Sequence, residues 1–460
     1  MKEENHNNLN GRELIYQLEG RPPFMVAFPL GLQHILAMFA GNLAPILIII
    51  GVLNGVDPSL GFAISAENSI KMVQVAMLAS GLTTLLQLYP FRKGNLQVGA
   101  NLPIVMGTAF AFVPTAITIA GNYGLPTVLG SCLVGSFVTI AMGFLYKHLK
   151  KYFTELVIGS VLIAIGIHLL DVGVQYCAGG AAAKKLGGYG SVSNLALAFT
   201  TFAVIIFLQK FGKGMFKISA ILIGLVVGYI LGIFTGKVNL SIIANADWFG
   251  LPMPAMFITD YKFELAPIIS AAIIYVVIGL ETIGNVNGIT IAAFDRPAKE
   301  KETSGAILAD GVGCLVASLL NALPNTAFGQ NAGIIAMTKI VNKWCITLGA
   351  FLIIGAAFIP KLGAVFRAIP DCVLGGAVIT VFAMIVINGI KMISQAGFSN
   401  RNVMVLGITF GLGYGFGVHP EITQGLPSYI SWIFKDTVAC VCMIAMLASI
   451  IFPDDKSVKE

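Results

Sequence analysis

The stretch NTAFGQNAGIIAMTK, residues 325–339, carries no charge before Lys339 and follows directly on Leu323-Pro324. It is short for a membrane crossing, which takes about 20 mainly apolar residues when helical. A second segment of the same kind opens with Asn101-Leu-Pro-Ile104. Each is interrupted by Gly or Pro and fused closely to its neighbouring apolar run. Such interruptions leave backbone N–H and C=O groups unpaired, and within a bilayer these are tolerated only where they pair with protein or line a cavity. Paired interruptions at matching places in two halves of a chain point to a binding site near the midplane. The expectation is two short extended stretches that pair with each other, with helix N-termini directed at a ligand.

The rest of the chain supports a membrane setting. Of its 460 residues 57% are hydrophobic and 11% charged, against about 25% charged in a soluble domain. A water-soluble fold could not hide that much apolar surface. The 52 glycines suit close approach of helices in lipid. The net charge of +6 reads as basic loops on one side of a membrane. It does not read as nucleic-acid binding, because no Lys/Arg-rich segment with interleaved aromatics occurs. The seven Cys form no CxxC pair and no metal-ligand spacing, so neither a metal nor another cofactor is expected. Without HExxH, GxSxG or a P-loop, the sequence argues against an enzyme and against ATP-driven transport by this chain alone.

Apolar runs fall at 24–53, 69–90, 101–121, 124–146, 153–170, 192–212 and 215–236, then at 265–290, 304–323, 325–340, 343–366, 371–393, 400–418 and 428–452. The expected fold is therefore an all-α integral membrane protein of fourteen spans, with short extended stretches in spans 3 and 10. Seven spans per half is odd, so the second half must enter the membrane inverted relative to the first. The polar first twenty residues lack the apolar core of a signal peptide, which places the N-terminus in the cytoplasm. With that orientation most of the 28 Lys and Arg fall on the cytoplasmic side, as the positive-inside rule requires. Both termini are then cytoplasmic.

Ionisable residues inside spans are costly and functional by default. Glu281 lies deep in the eighth span, Asp310 about six residues into the ninth, and His34 in the first. An ionised Glu281 offers two acceptor oxygens that match adjacent N–H donors on a heterocycle edge; the competing reading is a protonated helix-packing carboxyl. Asp310 is either a proton-linked group or a structural tie. His34 is either a protonation switch or a neutral contact between helices. Gln330, Asn331, Gly333 and Thr338 crowd the interrupted segment. The Gln330 amide donates and accepts side by side, as a purine edge does, and Asn331 suits holding local backbone.

That segment resembles the signature motif of the nucleobase–ascorbate transporter family: Gln/Glu/Pro, Asn, any residue, Gly, four residues, Thr, then Arg/Lys/Gly. Here it reads Gln330-Asn331-Ala332-Gly333-IIAM-Thr338-Lys339. GLETIGN around Glu281, LADG around Asp310 and LQHILAMFAGN around His34 resemble the family's eighth, ninth and first spans. The resemblance implies two inverted repeats and a mobile core domain, residues 23–146 and 265–369. It also implies a gate domain, 147–264 and 370–452, which dimerises, and cytoplasmic tails at 1–22 and 453–460. It implies that Glu281, Gln330 and the backbone at Gly329 and near Phe110 bind a base. Asn331, Thr338, Gly333, His34, Asp310, Asn285 and Asn101 would support the motif or coupling. In the family, Gln at the first motif position goes with xanthine and urate carriers, Glu with uracil carriers and Pro with ascorbate carriers. Close purine members often carry Asp where this chain has Asn285. The implied function is import of xanthine or uric acid across a bacterial inner membrane by proton symport, with sodium the alternative ion. A carrier of uracil or another base, and an anion transporter of the same plan, are the rival readings.

Overall fold

The computed structural model describes residues 13–55, 61–150, 152–252, 260–426, 431 and 434–453. Residues 1–12 of the expected tail at 1–22, residues 454–460 of the expected tail at 453–460, and residues 428–430 and 432–433 of the last expected span lie outside them.

The first half begins with two long apolar helices, α1 (Phe24–Gly55) and α2 (Ala66–Leu88). A small hairpin of β1 (Phe91–Lys93) and β2 (Leu96–Val98) follows. The chain then runs through β3 (Met106–Thr108) and one 3-10 turn, Phe110–Phe112, into α3 (Val113–Tyr123). Next come α4 (Leu125–Leu149), α5 (Glu155–Cys177), the short α6 (Gly180–Leu186) and α7 (Val192–Phe211). The half ends with α8 (Met215–Ile218), α9 (Ala220–Phe234) and α10 (Leu240–Ala244).

The second half opens with α11 (Leu265–Phe294), α12 (Glu300–Leu319), β4 (Asn325–Ala327) and α13 (Gly329–Thr338). It continues with α14 (Lys343–Ala357), α15 (Pro360–Arg367) and α16 (Asp371–Ala396). Then come α17 (Asn400–Ile408), a π-helical turn at Thr409–Tyr414, α18 (Gly415–Val418) and α19 (Thr437–Ile451).

Among the described residues eight helices are long and apolar enough to cross a bilayer, or nine if α14 and α15 form one bent crossing. The other expected spans are built from shorter pieces. α9 and α19 have 15 residues each, which is roughly 22 Å of helix against a hydrocarbon core of about 30 Å. The unbroken span expected at 343–366 is instead two helices that meet at 84°. Pro360 starts the second of them, where its missing N–H is no loss. In the run 101–121 the chain first passes through β3, an extended stretch as expected there, and the helix begins at Val113.

The halves repeat each other's packing. α2 lies on α14 as α12 lies on α4; α1 meets α3 as α11 meets α13. α5 and α16 run along each other and join the halves. Their seam is backbone against backbone: a Cβ on Gly389 would come within 2.6 Å of the Gly159 carbonyl oxygen. At the centre the two interrupted segments pair, antiparallel, with Met106 opposite Ala327, Gly107 opposite Thr326 and Thr108 opposite Asn325. The ladder extends by Phe328 N–H to the Val105 carbonyl at 2.9 Å and Ala109 N–H to the Pro324 carbonyl at 2.7 Å.

Candidate functional site

Two short buried strands cannot satisfy their own outer edges, so side chains must. α2 presents Ser80, Thr83, Thr84 and Gln87 on one face, at the spacing of three and four that a helix aligns. Thr84 Oγ1 accepts the Met106 N–H at 2.9 Å, and Asn325 Nδ2 donates to Thr83 Oγ1 at 3.1 Å. Gln87 accepts the Ala100 N–H and donates to the Ala306 carbonyl, each at 3.0 Å. Asn42 of α1 accepts the Thr108 N–H at 2.8 Å and the Ser80 hydroxyl at 2.7 Å. The sequence reading missed this scaffold. The periodic polar face in SGLTTLLQ was the available signal.

β4 is held from the other side by α11. Asn285 Nδ2 donates to the Ala327 carbonyl at 2.5 Å. Its Oδ1 sits 2.8 Å from where a Cβ on Gly329 would stand. One residue after Glu281, the Thr282 hydroxyl donates to Asp310 Oδ2 at 2.5 Å and lies 3.4 Å from Thr326 Oγ1. Asp310 is fully buried in the middle of α12, deeper than expected because the helix starts at Glu300 rather than near residue 304. Its Oδ1 has no hydrogen-bond partner among the described residues, and neither has Glu281 Oε2. The two carboxyls are close enough for their charges to act on each other.

Both strands lead into helix N-termini with no side-chain cap. Ala109 precedes the 3-10 turn into α3, and Phe328 precedes α13. First-turn N–H groups carry partial positive charge and welcome acceptors. Gln330, in the first turn of α13, is half-buried and its side chain makes no hydrogen bond among the described residues. Phe110 and Phe328 face each other at 6.4 Å between ring centroids, and Phe110 meets Phe382 of α16 edge-on at 5.5 Å. The Phe328 ring fits because Gly107 and Gly41 lack side chains; Cβ atoms there would approach it to 2.4 and 2.9 Å.

Asn331 does not hold local backbone through its side chain, as the sequence suggested. It reaches across to α1, with Nδ2 at 3.3 Å from His34 Nδ1. With the amide donating, His34 Nδ1 accepts and the ring proton sits on the buried, unpartnered Nε2. Thr338 and Lys339 end α13: Thr338 Oγ1 donates to the Ile334 carbonyl at 2.8 Å, and Lys339 turns left-handed with φ 58°. The Lys339 ammonium then reaches the Ala292 carbonyl near the end of α11 at 2.9 Å. Gly333 faces open space. Asn101 belongs elsewhere: its Oδ1 accepts from Lys343 Nζ at 3.0 Å, at the start of α14. Glu281, Asn285, Gly329 and Asp310 therefore gather about the strand crossing, with Phe110 at the head of α3, and Asn101 stands apart.

Solved structures share this fold. The transmembrane domain of a cyanobacterial bicarbonate transporter, BicA, matches with a TM-score of 0.52 at 15% identity, covering 94% of this chain and 99% of that one. The murine Solute Carrier 26 member A9 anion transporter, in its inward-facing state, matches with a TM-score of 0.61 at 12% identity over 95% of this chain and 70% of that one. Sequence relatives are closer. The xanthine permease of Bacillus subtilis is 32% identical over 436 residues, 94% of this chain and 95% of the relative. Xanthine permease XanQ of Escherichia coli is 31% identical over 459 residues, 97% and 95%. Uric acid permease PucJ of Bacillus subtilis is 30% identical over 431 residues, 92% of each. The permease family model Xan_ur_permease matches residues 25–422, so the chain belongs to the nucleobase–ascorbate transporter family and is a multi-pass membrane permease, not an enzyme.

Proposed function

We propose that this protein imports an oxidised purine, xanthine or uric acid, by proton symport. The observation that carries the reading is the buried Glu281 oxygen with no hydrogen-bond partner among the described residues. It lies one helical turn before Asn285, which touches the head of α13, where the Gln330 amide also makes no hydrogen bond among the described residues. A buried acceptor left unpaired costs about 1–3 kcal/mol, more when charged, so a ligand with N–H donors is the natural complement. The edge of an oxidised purine alternates N–H and C=O. Glu281 would accept ring N–H groups, Gln330 would pair with a carbonyl and its neighbouring nitrogen, and the N–H groups at Gly329 and around Phe110 would take the rest. The names of the relatives above supply the purine class; the anion transporters share the fold, and fold alone does not set substrate.

In this reading the chain crosses the membrane fourteen times as two inverted repeats. A core of α1–α4 with α11–α15 moves against a gate of α5–α10 with α16–α19, which also forms a homodimer. Protonation of Glu281 or Asp310 biases the core between its two positions, which a bound proton can do only by binding one state better than the other. The test is uptake of radiolabelled xanthine by cells expressing the protein, with and without an uncoupler. Uric acid, guanine, uracil and bicarbonate serve as unlabelled competitors. Accumulation abolished by uric acid and by the uncoupler, and by neither uracil nor bicarbonate, is expected. Glu281→Gln should abolish proton-coupled uptake, and unchanged uptake by that variant would remove the role given to Glu281.

A further inference from the structure

Away from the strand crossing, one buried carboxylate is built into the join between the two groups of helices. Asp436 is 4% exposed and sits at the N-cap of α19. Its Oδ1 accepts the backbone N–H groups of Val438 at 3.0 Å and Ala439 at 3.1 Å. Its Oδ2 accepts the hydroxyl of Thr115, which lies in the first turn of α3 and is itself 1% exposed. Among the described residues three donors converge on this side chain and nothing accepts from it, which suits an ionised carboxylate at a helix N-terminus. The ionisable groups on α5 that face this corner are His168, within range of the Asp436 charge, and Asp171, within range of His168.

The bond spans two bodies of structure. α3 packs mainly on α1 and α4, with lighter contact to α5 and α11, and α19 packs mainly on α5 and the π-helical turn, with lighter contact to α11. Thr115 is the nearest polar side chain following Phe110–Phe112, the turn that leads out of β3. A second bond crosses the same boundary, from the Tyr176 hydroxyl of α5 to the Ile48 carbonyl of α1 at 2.9 Å. That one needs only a backbone acceptor, whereas the Thr115 bond needs a specific pair of side chains.

We propose that Asp436 is a positioning residue whose bond to Thr115 latches α3, and with it the Phe110 side of the binding site, to α19 and α5. The proposal rests on the reading in which those two bodies move against each other. A helix whose head is latched presents its N–H groups at a fixed place, and the latch must open each time the bodies part. Losing the Thr115 hydroxyl leaves one carboxylate oxygen with no side-chain donor, so the joined state should lose population.

The cysteines already present report this without any substrate. Cys440 and Cys442 lie within two turns after Asp436 and are buried, so N-ethylmaleimide reaches them only when the join opens. Cys132, buried in α4, reports general loosening. Alkylation of each is read by peptide mass spectrometry in native membranes. Thr115→Val should speed labelling of Cys440 and Cys442 about tenfold or more, the size expected for losing a hydrogen bond to a charged group. Labelling of Cys132 should stay unchanged, and Thr115→Ser should restore the slow rate. Unchanged labelling of Cys440 and Cys442 would overturn the latch, and so would equal acceleration at Cys132. If the protein carries no purine but the labelling pattern holds, the latch stands and the transport reading falls.

Discussion

At the scale of the residue, three ionisable side chains were legible in the sequence, while the buried Asp436 and the half-buried His168, inside the runs 428–452 and 153–170, and most of the neutral ones were not. Glu281, Asp310 and His34 stand out because a charge in an apolar run is costly. Asn42, Thr83, Thr84 and Gln87 do not, since a neutral polar residue in a span is ordinary glue; only the pairing of β3 with β4 reveals what they hold. Asn285 shows the difference a single atom makes. It was marked in the sequence as a departure from the Asp of close relatives, and the structure has its amide donating to the Ala327 carbonyl. A carboxylate at that place would set an acceptor against an acceptor. Asn285→Asp should therefore lower the melting temperature of the detergent-purified protein, and raising its pH should deepen the loss as the new carboxyl ionises. Asn285→Ala should cost about 1–3 kcal/mol, the penalty of a buried carbonyl left without its donor, with no pH dependence.

At the scale of the element, the two interrupted segments were readable because each combines Pro or Gly (Pro103, Pro324, Gly329) with a run too short for a span and fused to its neighbour; Pro alone does not break a span, since α1 stays helical through Pro29 and Pro45. Where each strand would start was not readable, and the first begins five residues beyond Asn101. The bend between α14 and α15 was missed because hydropathy carries no angle; Pro360 and the less apolar stretch Pro360–Arg367, with Lys361 and Arg367, were the available signals. Glycines in these elements do two different things. Gly107 is required by space: Ala there would push its Cβ to 2.4 Å from the Phe328 ring, and overpacking of that kind costs about 1–3 kcal/mol. Gly333 has no neighbour within 4 Å of such a Cβ, and Ala is the better helix former by about 1 kcal/mol. Thermal melts of Gly107→Ala and Gly333→Ala should move in opposite directions. If Gly333→Ala is stable yet carries purine slowly, the face of α13 bearing Gly333 meets the gate in another step of the cycle.

At the scale of the whole molecule, the chain closes on itself at one corner that hydropathy could not foresee. Asn342 caps α14 through Oδ1, which accepts the Trp344 N–H at 2.9 Å. Its Nδ2 faces the carbonyls of Leu14 at 3.0 Å, Gln17 at 3.1 Å, Gly20 at 3.2 Å and Glu19 at 3.3 Å. Backbone bonds from Val341 to Ile15 and from Lys343 to Leu18, each 3.1 Å, run beside it. Lys343 pairs with Glu19 at 2.5 Å, and Arg21 lies over the Trp344 ring at 5.2 Å. The segment before α1 is thus strapped to the turn that follows the signature motif, and Asn101 joins the same corner through Lys343. Asn342→Asp separates the two jobs of this side chain. The variant keeps an oxygen for the α14 cap and sets a carboxylate against the ring of carbonyls, so the strap should open while α14 stays intact. Local opening sets the rate of proteolysis when reclosing is fast. A glutamate-specific protease should therefore cut after Glu19 about tenfold faster in the variant, for a loss near 1.4 kcal/mol. Cutting should occur in inverted membrane vesicles and not in right-side-out ones. Cutting in right-side-out vesicles alone would reverse the orientation read from the basic loops, and equal rates in variant and parent would mean that the backbone bonds hold the strap without the amide.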